Sequence, residues 1–122
     1  MAQSDISLAY PANAHQFAET ALKDTVAVVK GSAGTLYAVE VDNTLNPNAA
    51  SFLKMWDTAG AVTLGTTAPD WIVKIPGGSK PVSLPLGGVA FAAGLKAAVV
   101  TVGGTGGIVA PTSNVGVRIV YS

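Results

Sequence analysis

Cysteine is absent from the 122 residues, so neither a disulfide nor a thiolate metal site can form. The fold has to hold without covalent staples, which suits assembly in a reducing cytoplasm. Histidine occurs once, at His15. A zinc site would then need an all-carboxylate shell, which zinc rarely adopts. A catalytic triad needs a base held by a third group, and no Ser or Cys partner stands near, so His15 reads better as a surface or interface residue. Charge is scarce: seven bases and seven acids cancel, and charged residues are 11% of a chain that is 49% hydrophobic. The bases are scattered singly, with no basic stripe to neutralise phosphates, which argues against nucleic-acid binding. No apolar run approaches the roughly 18 residues of a membrane-spanning helix. The opening Met1-Ala2-Gln3-Ser4-Asp5 lacks the basic start and apolar centre of a signal peptide.

The length fits one domain, with roughly two-thirds of the unfolded surface buried on folding. A small domain resists association with about 25–35% charge on its surface. A chain with 11% is expected to cover much of its exterior with copies of itself or with a partner.

The chain is organised around residues 35–57. In residues 35–43, Tyr37, Val39 and Val41 alternate with Glu40 and Asp42, the period of a strand with one buried face. Asn43 to Asn48 stop it: Asn tolerates left-handed backbone angles and Pro47 has no amide hydrogen for a ladder. In residues 51–57, Phe52, Lys54 and Trp56 share one face, and Leu53, Met55 and Asp57 the other. Bulk on both faces marks a central strand, or one covered on its second side by a neighbouring subunit. Residues 1–15 read as an arm and 16–122 as the domain, with Pro11 interrupting any element in the arm. Residues 14–22 fit either helical or strand spacing, and their all-β context favours strand. Strands follow at 25–30, 70–75, 89–92, 95–102 and 115–121, separated by Gly, Pro and Ser turns, with 61–65 a short strand or loop. Pro81 and Pro85 make 82–86 an edge strand at best. Seven or eight short strands without alternating helices predict an all-β, antiparallel sandwich of jelly-roll-like form.

Candidate chemistry is thin. Glu40, Asp42 and Asp57 could gather to hold Ca²⁺ or act as a glycosidase pair, against the plainer account of an exposed polar face with Lys54 as counter-charge. Gly77-Gly78-Ser79-Lys80 lacks the spacing of a phosphate loop and reads as a hairpin turn. Gly103 to Gly107 reads as a mobile loop tip with no helix behind it. Trp56 and Trp71 could form a sugar platform, but tryptophans on adjacent strands more often anchor a core or a subunit interface. Phe52, Lys54, Trp56 and Trp71 are the candidate interface residues. No catalytic, cofactor-binding or metal site is expected, and no cofactor.

GTLYAVEVDNTLNPNAASFLKMWD, GTTAPDWIVKIPGGS, GVAFAAGLKAAVVT and the closing NVGVRIVYS together resemble a group of small β-sandwich virion proteins of tailed bacteriophages. The resemblance covers residues 34–122 and rests on turns and core positions. It implies a non-enzymatic capsid decoration or cement protein, bound as a homotrimer outside the shell of the major capsid protein. Such a protein is assembled in the host cytoplasm and carried on the virion surface, with no membrane or nucleic-acid partner. The alternatives are a tail, baseplate or fibre-associated sandwich and, from another class, a carbohydrate-binding module.

Overall fold

The computed structural model describes residues 11–122. The expected arm therefore falls largely outside the described residues, and His15 already opens the first strand. Eight strands follow one another: β1 His15–Leu22, β2 Ala27–Lys30, β3 Gly34–Asp42, β4 Ser51–Asp57, β5 Trp71–Ile75, β6 Val82–Phe91, β7 Leu95–Val100 and β8 Val115–Tyr121. Of residues 14–22, His15–Leu22 form a strand, and its Phe17 and Leu22 pack toward the core.

The pairing is nested. β4 pairs with β5, β3 with β6, β2 with β7 and β1 with β8, all antiparallel. One long ribbon, with its tip between β4 and β5, is thus folded over itself. Ladders from β3 to β8 and from β4 to β7 close it into two four-stranded sheets, β1-β8-β3-β6 and β2-β7-β4-β5. This is the strand order of an eight-stranded jelly roll, a form of the expected β-sandwich.

Alternation fills the space between the sheets. Val39 faces Ile119 and Val41 faces Val117 in one sheet; Leu53 faces Val99 and Met55 faces Ala97 in the other, and all are buried. One expectation fails here. Tyr37 was expected on the core face with Val39, but Leu36 takes that place and Tyr37 turns outward to pair its hydroxyl with that of Ser122 at 3.1 Å. The cause is a bulge between Leu36 and Ala38, which shifts the phase of side-chain alternation. On β6 the bulge is supplied by Gly87 and Gly88 at φ 68° and 91°, a conformation open to glycine at little cost. The bulge also lets the segments at 82–86 and 89–92, expected as separate pieces, run as one edge strand.

Asn43 and Asn46 act differently from expectation as well. Among the described residues no non-glycine has a positive φ, so left-handed backbone is not what they contribute. Asn43 is fully buried and uses its side chain. Its Nδ2 donates to the carbonyls of Ala49 at 3.2 Å and Pro76 at 3.1 Å, and its Oδ1 accepts from Asn46 Nδ2 at 3.0 Å and Ser51 Oγ at 2.9 Å. Asn46 Oδ1 accepts from the Ser113 amide at 2.9 Å, and its Nδ2 also donates to the Ser113 carbonyl. Three separate connections at one end of the sandwich are tied through two amides. Asn43→Leu keeps the volume but leaves buried donors and acceptors unpaired, and is expected to cost about 3 kcal/mol or more in a denaturant titration.

Candidate interaction surface

Strand alternation sends Phe52, Lys54 and Trp56 to the outer side of sheet β2-β7-β4-β5. Lys54 lies between Ala98 and Ile72, and Trp56 beside Lys96, which also neighbours Val28. Phe52 is half-buried, yet Lys54 is 0% and Trp56 1% exposed. Two loops of the same chain account for this. Residues 58–70 fold back so that the Thr67 carbonyl accepts from Trp56 Nε1 at 3.1 Å. Residues 101–114 fold across from the other side, and the Gly107 carbonyl accepts from Lys54 Nζ at 2.9 Å. A Cβ on Gly107 would meet the Val102 carbonyl oxygen at 2.1 Å, so the approach that seals Lys54 depends on glycine. The Thr101 amide donates to the Val109 carbonyl at 2.8 Å and closes the loop on itself. Far from an open tip, Gly103 lies against the Phe52 ring and Gly107 is buried.

The second face of β4 is therefore covered from within the subunit. Lys54 and Trp56, expected at a subunit contact, present almost no surface to a neighbour, because the chain's own loops lie on them. Nor is Lys54 a counter-charge to the strand carboxylates: Glu40 and Asp42 stand on the other sheet. Trp71 faces the core side of β5, opposite Met55, and is half-buried against the core. The two indoles consequently lie on opposite faces of one sheet and form no shared platform.

The carboxylates do not gather either. Among the described residues no three His, Asp or Glu side chains come together as a metal site would require. Asp57 instead accepts from the amides of Ala92 at 2.8 Å and Ala93 at 2.9 Å, which pins the β6–β7 turn to the end of β4. Those bonds hold its pKa below the ordinary aspartate value. Asp42 is lowered likewise, by the hydroxyl and then the amide of Thr44, a cap on the end of β3. His15 stacks at a tilt on Tyr121, with ring centroids 5.7 Å apart.

Exposed apolar side chains gather on the loop-covered side, among exposed Thr63, Thr66, Asp70 and Lys74. Val102, Ile108 and Val109 are 51%, 54% and 58% exposed, and Val28 and Ile72 join them at the margins. Of the seven large apolar side chains exposed among the described residues, these five lie on this side. A second apolar feature opens at the sandwich's flank, where the edges of β5 and β6 part. It is a cleft of about 100 Å³ between Val39, Val41, Val73, Ile75 and Leu84. The outer face of the other sheet differs. There Arg118 stands between Ala18 and Glu40 at a groove of about 280 Å³ that Glu19 and Asp42 also line.

The fold and surface define a jelly-roll β-sandwich whose loops clothe one sheet and offer an apolar ridge. No family model, curated protein or solved structure matches the chain.

Lys54 offers a direct test of this self-covering. Burial sets its pKa below the usual lysine value. The unfolded chain then holds more protons between the folded and unfolded pKa values, so stability rises with pH across that window. Lys54→Met is expected to match or exceed the parent's stability at neutral pH, by up to about 2 kcal/mol. The same variant should flatten the gain seen on approaching about pH 10, near the ordinary lysine pKa. Paired urea titrations across pH check this; a variant weaker at neutral pH would show that the bond to Gly107 outweighs the desolvation.

Proposed function

We propose that this chain is a structural protein of a tailed-phage virion, a decoration or cement protein that binds the outside of the major capsid shell as a homotrimer. The observation that carries the reading is the apolar ridge of Val102, Ile108 and Val109 on a domain with only 11% charge. A surface of that kind marks an interaction site. The sequence resemblance to phage sandwich proteins points the same way. The jelly roll is an architecture that capsid and lectin domains share, so the fold leaves the choice of partner to the surface.

A cement acts through buried area. It ties neighbouring capsomers together against internal pressure and requires neither a reacting group nor a cofactor. Its stacked sheets supply a rigid body, and the loop layer supplies the face that touches protein.

The test mixes the purified chain with undecorated capsids of the phage that encodes it. A trimer by light scattering, saturable co-sedimentation with the shells and a raised temperature of capsid rupture are expected. A chain that stays monomeric and remains in the supernatant, or a label that decorates tails instead of heads, would overturn the assignment.

A further inference from the structure

We infer that the Asp57 carboxylate is an acid-releasable clasp: its protonation frees the β6–β7 turn, residues 92–94, at one end of the sandwich while the opposite end stays closed. The device is a property of the fold and holds whatever partner the domain binds.

The two ends of β4 are fastened by unlike chemistry. At its start, Ser51 enters the network of Asn43 and Asn46, whose side-chain amides do not titrate. Asp42 stands at that end too, but it accepts only from Thr44, two residues on, and joins no second connection. At the other end Asp57 reaches across 35 residues of chain. Its Oδ2 accepts from the Ala92 amide at 2.8 Å, and its Oδ1 from the amides of Ala93 at 2.9 Å and Gly94 at 3.5 Å. An ionised carboxylate makes bonds roughly twice as strong as a neutral acceptor would. Ala92, Ala93 and Gly94 have no polar side chain of their own to replace it.

The turn is pressed close to its neighbours. The Thr58 amide donates to the Gly94 carbonyl at 3.1 Å. A Cβ on Gly94 would meet the Thr58 carbonyl oxygen at 2.7 Å and that of Lys30 at 3.0 Å. The charged groups around the clasp are engaged elsewhere. Asp70 accepts from the Asp57 amide, Lys96 on β7 donates to the Gly60 carbonyl, and Lys30 at the end of β2 borders Gly94 through its backbone. The turn amides, that of Ala92 first, keep the Asp57 pKa low against the opposing effect of burial, and no lysine adds to it.

A carboxylate held ionised by the fold contributes stability that is complete above its unfolded pKa. That contribution is lost as pH falls through the folded pKa. The window lies below about pH 4, the ordinary aspartate value. The turn follows directly on Phe91, which is 1% exposed, so its release opens the core at that end.

Amide hydrogen exchange of the full chain, followed by NMR from about pH 6 to about pH 3 and corrected for intrinsic rates, tests the clasp. The Ala92 and Ala93 amides are expected to lose protection about tenfold over that range. The Gly78 and Ser113 amides, which bond to Asn46, are expected to keep theirs. Asp57→Asn retains an acceptor that does not titrate, so its turn exchanges faster at neutral pH and acid no longer changes its protection. Asp42→Asn leaves the acid response of the turn intact. Should Asp57→Asn fail to fold, the carboxyl carbon shift of Asp57 in the parent chain is followed instead, and its midpoint coincides with the loss of turn protection. Equal loss of protection at both ends, an acid response that survives Asp57→Asn, or a midpoint displaced from that of Asp57 overturns the inference.

Discussion

Strand β4 is buried on both faces, and the rest of the molecule follows from satisfying that condition. Leu53 and Met55 on one side are met by the facing sheet in the ordinary way. Lys54 and Trp56 on the other would stand in water if the chain were only two sheets. Residues 58–70 and 101–114 are recruited as a third layer, and each brings a backbone carbonyl to the polar atom it covers. A buried lysine without an acceptor is among the costlier defects a fold can carry. The position of the 101–114 loop is therefore set by the nitrogen beneath it, and the side chains which that loop turns outward are set in consequence.

The ionic side chains are spent on backbone in the same manner. Asp57 holds the β6–β7 turn, Asp42 caps β3, Asp70 accepts from the Asp57 amide at 2.7 Å, and Lys96 donates to the Gly60 carbonyl. A chain with few charges that uses several of them to fasten its own turns has still fewer left to solvate its exterior. The low charge and the apolar ridge are two results of one economy of composition.

The strands were legible because period-2 alternation is a local property. β4, β5 and β8 can be read from the order of Val, Ile, Leu and Trp against Lys, Gly and Arg. The bulge at Tyr37 was not legible. It lies opposite a Gly-Gly pair some fifty positions away on β6, and only pairing brings the two together. The signal in hand was that glycine doublet inside an apolar run. Bulk on both faces of β4 reads as a central strand or one covered by a neighbouring subunit; β4 is central in its sheet, and its second face is covered by two loops of its own chain, whose return no local pattern shows. The roles of Asn43 and Asp57 were hidden for a related reason. An Asn in a turn has a local explanation at hand, and nothing local shows that its amide will reach the Pro76 carbonyl of another connection.

Strand β6 lies at the rim of its sheet, where an unpaired row of amides and carbonyls would invite another chain to add itself without limit. Pro85 withholds a donor from that row, and the kink at Gly87-Gly88 breaks its straightness. Backbone stacking into fibres is thereby discouraged at a flank where Leu84 is exposed.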